Sequence, residues 1–221
     1  SGPAPQGVAG ARRRAPTARH GHGMLILAFD TATDRATSAL VWDGEVLGEL
    51  TSRPVTVLED LDALLRRGGV RDSQVEGIAV GVGPGSFTGL RMGLITARTL
   101  AFAWGIGLAG VSTLDALAAG APGAVPVIDA RRREVFALLE GEAVVLPPAE
   151  LPVESGRTYV GDGAVRYREE IERRGGEVPP DESELHLPRA RFHAELAGGF
   201  GAPDLVEPMY LRIPDVDRPR T

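Results

Sequence analysis

The alternation of apolar and polar positions resolves residues 24–198 into a series of strands and helices. Met24–Thr33 (MLILAFDTAT) reads as a buried strand ending in an Asp-Thr turn. Thr37–Trp42 reads as a second strand, with Asp43-Gly44 as a hairpin turn into Glu45–Leu50. Thr56 and Glu59 have the capping-box spacing ahead of Leu58, Leu61, Leu64 and Leu65. Those leucines are expected on one helical face, and Gly68-Gly69 stops the helix. Val75–Val82 predicts another strand, followed by the glycine-rich stretch Gly81–Gly93 (GVGPGSFTGLRMG) and a helix over Thr88–Trp104. Ile106–Val111 is strand-like, and Ser112 caps a helix to about Ala119.

The order βββαβαβα argues for a mixed sheet with helices packed on it. Gly120–Gly123 reads as a linker. Beyond it, Val125–Ile128, Glu134–Glu140 and Ala143–Leu146 predict a second antiparallel start that turns at Gly141-Glu142. Arg157–Val160 reads as a short strand, Gly163–Arg174 as a charged helix, Gly175–Pro188 as loop and Arg189–Gly198 as a short helix. There is no fixed-period repeat and no heptad run.

Composition narrows the chemistry. At 221 residues the chain holds one large domain or two small ones. No apolar run approaches the roughly 20 residues that span a bilayer. Cysteine is absent, which excludes disulfides and thiolate chemistry and fits a reducing compartment. Lysine and asparagine are absent too, so all 24 basic residues are arginine. A GC-rich codon usage accounts for this, yet it excludes a P-loop lysine and a Schiff-base lysine. Residues 1–23 are rich in Gly, Ala, Pro and Arg without apolar periodicity and are expected to be a disordered leader, a cloning or processing remnant or an over-extended gene start. The remaining 198 residues carry 20 arginines against 30 carboxylates, a net of about −10, which makes the body by itself a poor nucleic-acid binder.

Strand, glycine turn and helix in succession point free backbone N–H groups at an anion. Gly83 and Gly85 give backbone freedom around Pro84, and Ser86 or Thr88 caps the helix. Asp30, Gly83, Gly85 and Ser86 are therefore the candidate residues of a degenerate nucleotide site. For Asp30 two readings stand side by side: a carboxylate facing a phosphate–metal complex, or a cap on the turn through Thr31 or Thr33. Gly161-Asp162-Gly163 is likewise either close to a nucleotide or a plain turn. Outside the leader only His186 and His193 remain, seven residues apart without a ligand at i+3 or i+4, so no zinc or iron site is expected. Gly85-Ser86-Phe87 runs into Thr88 where a nucleophile elbow needs glycine, and no histidine is placed to serve Ser86. Arg131-Arg132-Arg133 reads as a solvated turn, with contact to RNA or an acidic partner as the alternative.

Five segments carry a family resemblance in order: ILAFDTAT, GPGSFTGLRMG, GVSTLDALA (Gly110–Ala118), VIDARRREVF (Val127–Phe136) and VEPMYLR (Val206–Arg212). Across residues 24–212 the chain resembles the bacterial TsaB family, also called YeaZ. The resemblance implies an α/β, two-domain actin-like/sugar-kinase-like fold with mixed sheets flanked by helices. Its domains would be 24–122, joined by the C-terminal segment 204–221, and a smaller one over 123–203. It further implies a cytoplasmic, non-catalytic subunit that dimerises with and activates TsaD, assisted by the ATPase TsaE. That assembly forms N6-threonylcarbamoyladenosine beside the anticodon, with tRNA engaged indirectly through the complex. No cofactor, metal or membrane contact of its own is expected, and ATP or ADP would sit at the junction with TsaD. The TsaD contact falls by resemblance on the helices at Leu58–Arg66 and Thr88–Trp104, with Leu61, Leu64, Leu65, Leu94, Ala97, Arg98 and Ala101 as interface candidates, and the same face implies a homodimer in isolation. A stand-alone kinase or ATPase of the same superfamily is the competing reading, and a peptidase the third.

Overall fold

Strand β1 (Leu25–Asp30) alternates its side chains between two buried layers, and the rest of the first sheet is built around it. The computed structural model describes residues 23–211. β1, β2 (Ala36–Trp42) and β3 (Glu45–Ser52) form an antiparallel meander. Asp43 and Gly44 turn β2 into β3 with φ of 45° and 79°, the left-handed pair that a two-residue hairpin requires. Helix α1 (Val57–Gly68) then leads to β4 (Gly77–Gly83), and α2 (Phe87–Trp104) leads to β5 (Gly107–Ser112), both strands running parallel to β1. The sheet order is β3-β2-β1-β4-β5.

Leu25, Leu27 and Phe29 face one layer, where they meet Val57, Leu61 and Leu64 of α1 and Leu94, Ala97 and Ala101 of α2. Ala28, Ala39 and Ala79 face the other layer, and their small side chains admit α6 (Ala190–Leu196) through Ala190 and Ala194. Helix α3 (Thr113–Gly120) leads to the second sheet, which comprises β6 (Val125–Arg131), β7 (Glu134–Leu139), β8 (Glu142–Leu146) and β9 (Tyr159–Val160). Its order is β8-β7-β6-β9, with β9 parallel to β6. Helices α4 (Asp162–Arg166) and α5 (Arg168–Arg173) complete its core of Val127, Val135, Ala137, Tyr159, Ala164 and Ile171.

The expected class, α/β with mixed sheets flanked by helices, is the one observed, and each sheet opens with an antiparallel meander as an actin-like architecture does. Four details depart from expectation. The Thr56 side chain donates back to the Arg53 carbonyl (2.9 Å) and caps no α1 amide, so the capping box does not form. The helix expected over Gly163–Arg174 breaks at Tyr167, whose φ of −109° and ψ of 25° leave the α region. The turn of the second meander sits at Glu140-Gly141, one residue early, because both carry positive φ. The chain returns to the first sheet with α6, ahead of the 204 boundary, because the alanine layer receives that helix.

After α6 a strap runs along the sheet. Leu108 and Gly201 exchange two backbone hydrogen bonds, and Met209 N–H donates to the Val82 carbonyl at 2.7 Å. No helix among the described residues is long and apolar enough to cross a membrane. The expected leader lies outside the described residues except for its last position, as does the chain beyond 211.

Candidate functional site

The glycine loop is filled by its own chain. The β1 turn presses against it so closely that a Cβ at Gly85 would stand 2.4 Å from the Ala32 carbonyl oxygen, and one at Gly89 2.1 Å from that of Thr31. Ser86 N–H donates to the Ala32 carbonyl at 2.7 Å, and the Thr31 hydroxyl donates to the Gly89 carbonyl at 2.8 Å. Ser86 caps α2 through the Gly89 amide (3.3 Å). At Gly83 a Cβ would stand 3.3 Å from the Met209 carbonyl oxygen of the strap. Protein backbone therefore crowds the Cβ side of Gly83, Gly85 and Gly89. The amide of Ser86, a first-turn donor the cradle would need, is already taken.

Asp30 is fully buried. Its Oδ1 accepts the Ala32 amide at 2.6 Å, while Oδ2 accepts the Thr113 hydroxyl at 2.7 Å and His193 Nε2 at 2.8 Å. A Cβ at Gly81 would overlap Oδ2, so that position admits only glycine beside the carboxylate. Facing an acceptor-only oxygen, Nε2 of His193 carries the proton. Asp30 does cap the turn, through the Ala32 amide and not through Thr31 or Thr33, and both of its oxygens accept donors inside the core. The sequence reading missed His193 and Thr113, which stand 163 and 83 residues from Asp30. No local pattern carries that pairing.

The corresponding turn of the second sheet is polar and open. Asp129 Oδ1 accepts the Arg131 amide (3.0 Å), and its Oδ2 pairs with Arg131 (3.1 Å) and Arg166 (3.6 Å). Arg131 also reaches Asp34 on the β1–β2 turn at 2.7 Å, tying the two sheets together. The Asp129 amide donates to Asp162 Oδ1 at 3.0 Å. Burial, aided by the Asp129 and Asp34 carboxylates, pushes the Asp162 carboxyl up to about 6. His186 accepts the Gly161 amide on Nδ1 (3.0 Å) and turns Nε2 to the Pro179 carbonyl (3.1 Å), which fixes its tautomer. Gly161 meets the Val127 carbonyl, where a Cβ would stand 2.2 Å away, and it is the N-cap of α4, so Asp162 and Gly163 form the first turn of a helix and not a plain turn. A cavity of about 450 Å³ beside it is lined by Thr33, Asp34, Arg35, Asp162, Asp181 and His186 among others, and by none of Asp30, Gly83, Gly85 and Ser86. Among the described residues no cluster of three or more metal-ligating side chains is placed to hold a metal ion.

The helices expected to meet a partner have an outer face, but with other residues than those expected. Leu61, Leu64, Leu94, Ala97 and Ala101 are buried in the first core, and Leu65 packs against it. The buried stripe of α1 is Val57, Leu61 and Leu64, spaced i, i+4, i+7, which rotates Leu58 outward. Arg98 is tied to the strap through the Val206 carbonyl (2.5 Å). Exposed instead are Val55 (74 %), Leu58 (55 %), Ile95 (63 %) and Phe102 (85 %). Ile95 and Phe102, seven apart, lie on one stripe of α2, and the short turn carrying Val55 packs beside that helix.

The family model for TsaD, tRNA N6-adenosine threonylcarbamoyltransferase, matches residues 53–149. The structure of YeaZ from Pseudomonas aeruginosa superimposes with a TM-score of 0.68 at 29 % identity, over 85 % of this chain and 100 % of that one. The tRNA threonylcarbamoyladenosine biosynthesis protein TsaB of Escherichia coli is 42 % identical over 123 residues, 51 % of this chain and 53 % of that protein. The chain is a relative of TsaB/YeaZ. TsaB of Haemophilus influenzae is 37 % identical over 123 residues, 51 % of this chain and 52 % of its own length. The chain thus spans about half the length of these curated TsaB relatives, while the YeaZ structure matches across both sheets.

Proposed function

We propose that this chain is a non-catalytic, cytoplasmic subunit that dimerises with and activates a TsaD-type enzyme in forming N6-threonylcarbamoyladenosine in tRNA. The observation that carries the reading is the engagement of both Asp30 oxygens: the carboxylate that would face a phosphate is held by Ala32, Thr113 and His193 in the core. A stand-alone kinase needs that group free. The likeness to proteins named for threonylcarbamoyladenosine biosynthesis supplies the pathway.

The outer face of α1 and α2 supplies the contact, through Leu58, Ile95 and Phe102 rather than through the buried residues first expected. Burying a side chain such as Phe102 contributes about 1.5–3 kcal/mol, which makes these exposed residues the anchors of the contact. TsaE acts on the same assembly, ATP or ADP is left to the junction with TsaD, and tRNA meets the chain through the complex. Without TsaD the same face pairs with a second copy. The test is reconstitution with the TsaD and TsaE of one organism and unmodified tRNA. Threonylcarbamoyl transfer is expected only with this chain present, and transfer at equal rate without it overturns the proposal. I95D/F102D is expected to abolish co-purification with TsaD while leaving the melting temperature of the chain unchanged.

A further inference from the structure

Helix α2 sets two arginines beside its exposed stripe. Arg91 and Arg98 stand seven residues apart, about 10 Å along the axis, on the flank next to Ile95 and Phe102. Arg91 is held from two sides: its guanidinium lies 3.9 Å over the Phe87 ring, and its Nε donates to the Tyr210 hydroxyl at 3.4 Å. Arg98 is half-buried against the strap, whose turn at Pro203–Leu205 packs on α2. It donates to the Val206 carbonyl at 2.5 Å, while its Nε is buried without an acceptor. Among the described residues neither guanidinium is paired with a carboxylate.

The neighbours of Arg98 decide what can cover it. Ile95 and Phe102 lie one turn to either side, and Leu205, 75 % exposed, precedes its carbonyl partner on the strap. A surface that buries these three apolar side chains also strips the water from Arg98. With one neutral carbonyl as acceptor and none at Nε, the guanidinium is then a buried charge without a partner, which is strongly unfavourable unless the covering surface brings a carboxylate. An uncharged apolar surface meets the first requirement and not the second. A second copy paired through the same helix is the poorer occupant, because α2 contains no acidic residue and two such stripes set arginine against arginine. We propose that α2 and the strap dock an apolar surface of the partner enzyme that carries two carboxylates about 10 Å apart, one on Arg98 at the centre of the contact and one on Arg91 at its edge. The inference rests on the TsaD reading above and names the chemistry by which that partner is chosen over a second copy.

The test measures association and dissociation of the full chain on the immobilised TsaD of the reconstitution, at about 50 and about 300 mM salt. R98Q is expected to raise the dissociation rate about 30-fold or more, because it leaves a carboxylate of the partner buried and unpaired. R91Q is expected to slow association and flatten its salt dependence with dissociation nearly unchanged, as befits a charge at the rim. R173Q removes the same charge from α5 of the second sheet and is expected to bind as the parent does. R98E is expected to abolish binding and to regain it with a TsaD in which one exposed Asp or Glu is changed to Arg, a rescue that a merely structural role of Arg98 would not give. Melting temperatures confirm that each variant folds. No binding by the parent overturns the TsaD reading and this inference with it. Parent-like rates in both R98Q and R91Q, or no rescue of R98E by any such TsaD variant, overturn this inference alone. In sedimentation of the chain without TsaD, R91Q/R98Q is expected to self-associate at least as tightly as the parent; weaker self-association assigns the arginines to a second copy and overturns the proposal.

Discussion

Replacing Asp162 with asparagine should make the protein more stable at neutral pH and no more stable in acid. In the folded chain burial raises this carboxyl from an ordinary value of 3.8 to about 6, with the charges of Asp129 and Asp34 adding to the effect. The native state therefore holds the proton more tightly than the unfolded chain does. Stability falls as pH rises from about 4 to about 6, and the full penalty stands above 6. A difference of about two units is worth at most about 3 kcal/mol, and about 2 kcal/mol is expected because the side chain lines an open cavity. Asparagine keeps the Oδ1 acceptor that takes the Asp129 amide, so the substitution removes the charge and spares the turn. Urea unfolding at pH 4.0, 6.0 and 7.5 checks this. Asp162→Asn should shift the midpoint upward by about 1 M at pH 7.5, with the gap closing toward pH 4. A gap of equal size at all three pH values, or a loss of stability at pH 7.5, would refute the assignment of the raised carboxyl to Asp162.

Other consequences are tested as directly. His193→Ala leaves the buried Asp30 carboxylate short of a donor and should cost about 3–5 kcal/mol, read as a lowered urea midpoint; a cost under 1 kcal/mol would show the pair to be dispensable. Gly85→Ala places a methyl 2.4 Å from the Ala32 oxygen and should destabilise by about 1–3 kcal/mol, whereas Gly141→Ala, with open space around its Cβ but φ of 85°, should cost only about 1 kcal/mol. Calorimetry of the isolated chain with Mg-ATP should give no binding heat attributable to the glycine loop, and heat lost on Asp30→Asn would revive the kinase reading.

What was legible in the sequence was chemistry confined to a few neighbouring residues. Asp43-Gly44 demands a left-handed turn, Ser86 and Ser112 sit one residue ahead of helices whose amides they accept, and Gly69 ends α1 in the left-handed region. What was not legible depends on which side of an element meets which neighbour. Four leucines of α1 fit one broad face, and only the presence of β2 and β3 beneath decides that Val57, Leu61 and Leu64 go in while Leu58 stays out. The helix ending at Arg174 looks continuous by charge pattern, yet the packing of Tyr167 into the second core divides it. His193 had no local reason to be paired, because α6 reaches Asp30 only after the whole second sheet has been built.

The same contacts make a loop that suits anions in sequence into a scaffold for α2. Asp30 is fixed by Thr113 and His193, and through its own cap on Ala32 it fixes the β1 turn. That turn fixes the first turns of α2: Ala32 takes the Ser86 amide, Thr31 donates to Gly89, and Gly93 leaves room for the Thr31 hydroxyl. The strap closes the other side through Met209 on Val82 and Val206 on Arg98. The glycines in this chain of contacts are each crowded by neighbouring protein: backbone at Gly85 and Gly89, the Asp30 carboxylate at Gly81, the Thr31 hydroxyl at Gly93. The orientation of Ile95 and Phe102 is the far end of that chain, so the β1 turn and the glycine loop determine how α2 presents its exposed stripe. On the proposed reading, a partner dock whose geometry is set this rigidly loses little entropy on binding.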